Sequence, residues 1–304
     1  MGWIRDRRTR RNAPQLPGLD KGERPVLLHA LDGFLGAGSG PRVAAEYIAG
    51  DDGVTVESFD VDEYYDYRAR RPALVFDENR YTDYEQPALD VQLLRDAADT
   101  PYLLLAGPEP DYRWEMFATE VAYVIEQYDV SLTVGMGAVP MGVPHTRPLV
   151  VTQHANRKAL IDQRNLWNGR VVVPASAQAM VEYRLGEWGY DAMGYVVHVP
   201  HYLAQVDYPA ASIALLDAVS RRTGLQFELD DLRARQVEAI ADIEDQIREQ
   251  DGGAVLANLE QQYDAFSRGA NQSLLASDGS LPSGEELGRQ FEQFLAQVDK
   301  RDDD

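Results

Sequence analysis

The stretch that decides the fold is Leu103-Leu104-Leu105-Ala106-Gly107-Pro108-Glu109-Pro110-Asp111-Tyr112-Arg113-Trp114. Residues 102–105 are continuously apolar rather than alternating, which predicts a strand buried on both faces. The two prolines that follow each fix a φ angle and remove a backbone donor, so they predict a stiff turn that ends the strand. Asp111 then stands at the expected N-cap of a helix over residues 112–128. In open α/β sheets, ligands bind where the end of a strand faces the N-terminus of a helix. The same segment is equally compatible with an ordinary strand-to-helix turn that binds nothing.

Strands and helices alternate along the chain up to Gly224. This order favours a three-layer α/β/α sandwich with a mixed sheet. Residues 60–90 interrupt this alternation with an irregular, tyrosine-rich excursion from the sandwich. Its tyrosines either cover a protein interface or pack within a long β-rich segment. Strands are predicted at residues 26–31, 54–59, 73–76, 89–94, 102–106, 131–135, 149–152, 171–173 and 195–199, and helices at 41–48, 112–128, 177–188 and 209–223.

Four segments are predicted from the changes in composition. Residues 1–24 form a basic flexible arm of net charge +4, and residues 25–224 form the sandwich domain. Residues 225–268 carry two apolar stripes at helical spacing, broken by Gly252-Gly253, and predict a helical hairpin that begins at an Asp230 cap and packs on the sandwich or on a neighbouring subunit. Residues 269–304 predict a polar linker and an amphipathic tail helix, which either docks on its own domain or binds a partner.

Charge and composition exclude several classes of protein. The formal charge of −21 argues against a nucleic-acid partner, because phosphates would be repelled over most of the surface. The absence of cysteine excludes disulfides and thiolate metal sites. No segment has the apolar length of a membrane span, and the first residues lack the apolar core of a signal peptide. We therefore expect a cytoplasmic protein with no membrane partner.

Two glycine-rich turns lie after predicted strands and define a candidate pocket at one edge of the sheet. The first covers residues 32–40, but Pro41 stands where a dinucleotide fingerprint needs its third glycine, so only a phosphate nest stays open. The second covers residues 135–142. Together with the turn after residue 106, the two glycine-rich turns predict a ligand pocket. The alternative interpretation is that all three are tight turns with a purely structural role. The candidate pocket residues are Asp32, Gly36, Gly38, Gly107, Glu109, Asp111, Gly135 and Gly137.

No catalytic or metal-binding set accompanies that pocket in the sequence. The five histidines include no His-Glu-x-x-His pair, and His198 and His201 flank Val199-Pro200 in a way that does not direct both at one ion. Ser176 lacks the glycines of a nucleophile elbow. We therefore predict no catalytic residue, no metal and no cofactor, and expect a protein that is not an enzyme.

The Gly-Pro-Glu-Pro-Asp-Tyr-Arg-Trp segment at residues 107–114, with the glycine-rich turn after the first strand, resembles the bacterial branch of the proteasome assembly chaperone 2 family. The resemblance covers about residues 25–269. It implies a phosphorylase/hydrolase-like α/β sandwich and a chaperone of proteasome assembly in the eukaryotic and archaeal members. It also implies a related glycine-rich turn without an established cofactor.

The resemblance leads to one expected function and one alternative. The expected function is a non-enzymatic protein-binding module that acts as a homo-oligomer, with proteasome subunits as possible partners. Proteasome-binding members can end in a hydrophobic-Tyr-any residue tail, whereas this sequence ends in Lys-Arg-Asp-Asp-Asp, so another surface would have to make the contact. The alternative is a nucleotide- or nucleoside-binding enzyme, phosphorylase/hydrolase-like or ligase-like, that uses the sheet-edge pocket.

Overall fold

The computed structural model describes Leu19 and residues 22–50, 53–162, 170–250 and 252–273. The tail helix and most of the basic arm that the sequence predicts lie outside these residues. The strands are β1 Val26–Asp32, β2 Val54–Ser58, β3 Leu74–Asp77, β4 Arg80–Tyr84, β5 Asp90–Arg95, β6 Pro101–Pro108, β7 Leu132–Met141, β8 Val151–Ala155 and β9 Ala192–Pro200. The helices are α1 Gly40–Ala49, α2 Val61–Tyr64, α3 Trp114–Gln127, α4 Ala177–Trp188, α5 Pro209–Thr223, α6 Asp230–Glu249 and α7 Gly253–Ser273.

Seven strands form one mixed sheet in the order β2-β5-β6-β1-β7-β9-β8. The four central strands β6, β1, β7 and β9 are parallel, and β5 and β8 run antiparallel to their neighbours. The central strands therefore all end at the same edge of the sheet. This confirms the predicted α/β class with a mixed sheet.

Two apolar cores lie on opposite faces of the sheet, because successive side chains of a strand point to opposite sides. On β1, Leu28 and Ala30 join the core under α1 and α5, while Leu27 and Leu31 join the core that also contains Phe117 of α3. Helices α3 and α4 cover that second face together. The result is the predicted three-layer sandwich.

The excursion at residues 60–90 is more ordered than the sequence predicts. It contains the short helix α2 and a separate two-stranded sheet, β3 paired antiparallel with β4. Strand β3 matches the strand predicted at 73–76, but β4 was missed because its charged residues hide the pattern. The strand predicted at 171–173 is wrong. Those three valines lie in an exposed segment that forms neither helix nor strand, and β-branched residues alone do not make a strand without a neighbour to pair with.

The two C-terminal helices pack on the sandwich. Leu232 and Ile243 of α6 complete the core under α5. Helix α7 is held by Tyr263, whose hydroxyl donates to the Pro148 carbonyl over 2.7 Å, and by an Arg147–Asp264 ion pair of 2.9 Å. Asp230 is the first helical residue of α6 rather than its cap, and α7 continues to Ser273, past the boundary predicted at residue 268.

Candidate functional site

The strand-to-helix corner at residues 107–114 is braced from the α2 side. The backbone N–H groups of Asp111 and Tyr112 both donate to the Tyr64 carbonyl, over 2.8 and 3.1 Å. The Tyr65 hydroxyl donates to the Pro108 carbonyl over 2.9 Å. Tyr64 and Tyr65 are both buried, so at this end of the tyrosine-rich excursion the rings serve packing rather than an interface.

The predicted capping role of Asp111 is wrong. Helix α3 begins at Trp114, and its N-cap is Arg113, a left-handed residue (φ 57°) whose side chain makes no cap. The Asp111 carboxylate instead accepts from the Asp66 backbone N–H over 2.8 Å and pairs with Arg70. Pro110 explains the difference in part, because its carbonyl accepts from the Trp114 indole N–H over 2.6 Å and sets the start of the helix.

Glu109 is the most enclosed carboxylate at this edge of the sheet, with 7% of its surface exposed. One carboxylate oxygen accepts from the Phe34 N–H over 2.8 Å, and the other accepts from the Ala177 N–H over 2.7 Å. Ala177 is the first residue of α4, so the carboxylate also faces the positive end of that helix dipole. Glu109 therefore ties β6, the first glycine turn and α4 together.

The first glycine turn closes over the ends of the strands. A side chain on Gly33 would begin 2.1 Å from the Glu109 carboxylate, which explains a glycine there. Gly36 forms a parallel bridge with Ala138 of β7. Gly38 (φ 63°) donates to the Ala204 carbonyl and accepts from the Tyr208 N–H, each over 2.9 Å. The Phe34 and Gly38 N–H groups that a phosphate nest would need are thus engaged within the protein.

The second glycine turn is a strand. Gly135 and Gly137 lie inside β7, which runs without interruption from Leu132 to Met141. A turn was predicted because glycine usually weakens or ends a strand. Here each glycine instead leaves room for a side chain from another element to pack against the strand. A Cβ on Gly135 would lie 2.7 Å from Cε1 of His29, and a Cβ on Gly137 would lie 3.3 Å from Leu35.

The eight predicted pocket residues thus fall into four places. Asp32, Gly107 and Glu109 meet where β1 and β6 end: the Glu109 N–H donates to the Asp32 carbonyl over 2.8 Å, and Gly107 (φ 147°) lets the Ala88 backbone approach. Gly36 and Gly38 form the turn over β7 and β9, and Asp111 lies apart beside Asp66. Gly135 and Gly137 lie under α4. That the set forms one ligand pocket stays a prediction.

A row of polar residues, which sequence reasoning missed, crosses the sheet under α4. His29 of β1 pairs with Gly135 of β7, which pairs with Gly194 of β9, which pairs with His154 of β8. Each imidazole lies over a glycine: a Cβ on Gly194 would be 2.6 Å from Cε1 of His154. The two rings therefore lie over the adjacent glycines Gly135 and Gly194, which we call the glycine floor, with His29 on one side and His154 on the other.

Helix α4 covers this row with polar residues one turn apart. Gln178 is 4% exposed, and its amide nitrogen lies 3.0 Å from the position a Gly135 Cβ would take. Glu182 accepts from Nδ1 of His154 over 2.8 Å. Burial, with the charge of His154 as a smaller cause, lowers the pKa of His29 to about 4, so that ring is neutral at pH 7. We call His29, Gly135, Gly194, His154, Gln178 and Glu182 the α4 seam.

The seam holds two atoms without partners. Neither the amide oxygen nor the amide nitrogen of Gln178 has a hydrogen-bond partner in the described part of the chain. The sequence offered two signals for the seam: a histidine inside an apolar strand, and the polar residues Gln178 and Glu182 spaced i,i+4 on one face of a helix.

The described residues contain no group of three histidine or acidic side chains placed to hold a metal ion. Within the same residues, no helix combines the length and apolar character needed to cross a bilayer. The Ser176 hydroxyl caps α4 by accepting from the Ala179 N–H over 3.0 Å.

The mixed sheet order and the two helical layers define an α/β sandwich, and residues 30–250 of the chain match the model of the PAC2 family. The chain belongs to that family, which confirms the resemblance drawn from residues 107–114. Comparison with the curated proteins gives no match.

Solved structures share the fold over most of the chain. The Mycobacterium tuberculosis protein of unknown function Rv2714 is 44% identical, with a TM-score of 0.79 over 83% of this chain and 89% of that one. A Corynebacterium glutamicum protein of unknown function is 35% identical, with a TM-score of 0.77 over 84% and 95%. The M. tuberculosis proteasome-assembly chaperone homologue Rv2125 is 28% identical, with a TM-score of 0.71 over 77% and 99%.

Proposed function

We propose that this protein is a non-enzymatic, homo-oligomeric protein-binding module of the cytoplasm that assists the assembly of proteasome-type complexes. The observation that carries the proposal is the exposed β3–β4 hairpin. Membership of the PAC2 family and the likeness to Rv2125, which is named as a proteasome-assembly chaperone homologue, supply the assembly role.

The hairpin leaves both of its faces to solvent. All residues of β3 and β4 are exposed, including Leu74, Val75, Phe76 and Tyr81, of which Phe76 is 61% and Tyr81 69% exposed. The Phe76 and Tyr81 rings contact each other across the hairpin, with centroids 5.1 Å apart. An isolated two-stranded hairpin is marginally stable in water, and a contiguous exposed apolar patch marks a protein-binding surface.

A second copy of the chain is the occupant that we propose for the hairpin. A permanently exposed apolar patch favours aggregation unless it is covered, and another copy is the partner always present at equal concentration. Closed homo-oligomers are also the commonest assemblies of soluble chains.

Mass measurement by light scattering after gel filtration tests the oligomer. We expect a multiple of 34.0 kDa for the unsubstituted protein and a single-chain mass for the double variant Phe76→Ser, Tyr81→Ser. Tyr123→Ser is the matched control, because Tyr123 is 60% exposed on α3, away from the hairpin. A single-chain mass for the unsubstituted protein at micromolar concentration would contradict the proposal.

Capture experiments with purified proteasome subunits test the assembly role separately. The oligomer, immobilised on a column, should retain subunits or partly assembled rings, and the double hairpin variant shows whether retention needs the oligomer. If no subunit is retained, the assembly role fails while the oligomer result stands.

The alternative function, nucleotide or nucleoside binding at the sheet edge, has weaker support. Glu109 has both oxygens engaged by backbone N–H groups, and the Gly38 N–H donates to Ala204. A ligand at that edge would have to break these bonds before forming its own.

A further inference from the structure

We propose that the free edge of β3 in one copy of the chain pairs with Val171, Val172 and Val173 of a second copy, and that two such contacts close a dimer. We call these three residues the valine segment. The contact is a strand addition, in which backbone hydrogen bonds join the strands and apolar side chains select the partner. The inference rests on the homo-oligomer proposed above and adds the surface that receives the hairpin.

The valine segment is exposed and its backbone is unpaired. Its side chains are 61%, 97% and 69% exposed in chain order, and a run of exposed apolar residues marks a functional surface. Within the described part of the chain, no hydrogen bond joins the backbone of these valines to another residue. β-Branched residues favour strands, so a neighbouring strand is what the segment lacks. Pro174 has no N–H and ends the pairing after Val173.

Strand β3 offers an edge that matches the valine segment. Among the described strands it pairs with β4 alone, so the backbone groups of its other edge are available to a strand from another copy. It begins with three consecutive apolar residues, Leu74, Val75 and Phe76. When Val75 lies opposite Val172, the outer residues of the two runs meet on the other face in either strand direction, because successive side chains alternate.

The charges of the two surfaces are complementary. Residues 74–85 carry four acidic side chains and one basic side chain, a net charge of −3. Residues 170–175 carry Arg170 and no acidic residue, in a chain whose net charge is −21. Arg170 is exposed, and no described acidic residue pairs with it. Two copies of so acidic a chain repel each other in most orientations, so this match favours the hairpin facing the valine segment.

Both surfaces lie at the edge of the sheet where the central strands end. The hairpin arm is tied there before β3 begins, because the Asp66 N–H donates to Asp111 and Arg70 pairs with Asp111 over 3.3 Å. The valine segment is tied there after it ends, because the Ala177 N–H donates to Glu109. Two copies that face each other across this edge, about a twofold axis, therefore make both contacts at once and close the dimer.

Disulfide formation between single-cysteine variants of the full chain tests the contact. The chain has no cysteine of its own, so each variant carries one thiol. Val75→Cys is mixed in turn with Val171→Cys, Val172→Cys and Val173→Cys under mild oxidation. We expect a covalent dimer of twice the 34.0 kDa chain mass, formed fastest with Val172→Cys, because opposite residues of paired strands lie within disulfide reach. Tyr123→Cys, on the exposed face of α3, is the control and should not link to Val172→Cys.

The double variant Val75→Cys, Val172→Cys tests the twofold closure. In a closed dimer both links join the same two copies, so oxidation should give no product larger than a dimer on a non-reducing gel. A ladder of larger products would overturn the closure, because each copy would then contact two different neighbours.

Charge substitutions at the centre of the valine segment test the complementarity. Val172 is 97% exposed, so its replacement should leave the fold of the single chain intact. Val172→Asp places a negative charge against the acidic hairpin and should raise the dissociation constant of the dimer at least about tenfold. Val172→Lys loses the same apolar contact but gains attraction, so it should raise the constant by about threefold or less. Val237→Asp, at a 70% exposed position of α6, is the control and should leave it unchanged.

The results distinguish failure of this inference from failure of the proposed function. If Phe76→Ser, Tyr81→Ser dissociates the oligomer while no cysteine in the valine segment links to Val75→Cys, the hairpin binds elsewhere, so this inference is overturned and the oligomer stands. Equal dissociation constants for Val172→Asp and Val172→Lys would also overturn it, because the segment would then not face an acidic surface. A single-chain mass for the unsubstituted protein would contradict both.

Discussion

Glu109 and Gln178 lie at the same end of α4, both almost fully buried, and they differ in how they are satisfied. Both oxygens of Glu109 accept from backbone N–H groups, whereas neither polar atom of Gln178 has a partner among the residues that the structure describes. Burial alone therefore does not show whether a polar side chain is satisfied. The hydrogen bonds tie Glu109 into the fold and leave the Gln178 amide unsatisfied.

The largest effect in this comparison is expected for Glu109→Ala. It leaves the Phe34 and Ala177 N–H groups buried without acceptors, and we expect a loss of about 3–5 kcal/mol in the free energy of unfolding, measured by urea denaturation. Glu238→Ala, at an exposed position of α6, is the control and should change stability by less than about 0.5 kcal/mol. A loss below about 1 kcal/mol for Glu109→Ala would mean that water replaces the carboxylate.

The second effect concerns the glycine floor of the seam. In Gly135→Ala the new methyl group would lie 2.7 Å from Cε1 of His29, so the ring must move, and we expect a loss of about 2–3 kcal/mol in the free energy of unfolding. Gly142→Ala is the control, because nothing lies within 4 Å of its new Cβ. Equal losses for the two variants would show that the seam yields easily and that the rings are not packed on the strand.

These two residues also show how far the sequence could predict the structure. The buried strand at 102–105 and the α/β alternation follow from local hydrophobic pattern, which fixes the order of elements. The position of Glu109 at the end of a strand could also be predicted from the sequence. Its partners were not, because Phe34 and Ala177 are 75 and 68 positions away and meet it only through the sheet order.

The structural role of each glycine was the hardest feature to predict from the sequence. At Gly38 and Gly107 it permits a left-handed or closely approached backbone, as in the turns that the sequence predicts. At Gly135 it instead makes room for a side chain from the neighbouring strand, and a single sequence does not distinguish these uses. The seam was missed for this reason: its floor resembles a turn, and its histidines come from strands 125 positions apart.

The third effect tests His29 through the pH dependence of stability. The pKa of His29 is about 4 in the folded protein, below the value of about 6.5 in the unfolded chain, so the unfolded state binds its proton first as the pH falls. Stability is complete above about pH 6.5 and falls towards pH 4, by about 2 kcal/mol between pH 7 and pH 5 for this ring. Burial also lowers the pKa of His198 to about 4, so that ring adds a similar loss.

Urea denaturation at pH 7 and pH 5 measures this dependence. His29→Asn should lose about half of the pH-dependent destabilisation, since the His198 contribution remains. His201→Asn, at an exposed position, should leave it unchanged. If His29→Asn keeps the full pH dependence, the ring is protonated or solvated in the folded protein, and the seam is more open than its 3% exposure indicates.

The smallest effect separates the two groups that hold the start of α4. Ser176→Ala removes the N-cap, whose hydroxyl accepts from the Ala179 N–H, and should lower the free energy of unfolding by about 1 kcal/mol. Glu109 satisfies a different N–H of the same helix end, so the losses of Ser176→Ala and Glu109→Ala should add to within about 0.5 kcal/mol in the double variant. A double variant markedly more stable than the sum would show that one group releases the helix end for both. In that case the orientation of Gln178, in the first turn of α4, depends on Glu109, and the two buried residues are coupled rather than independent.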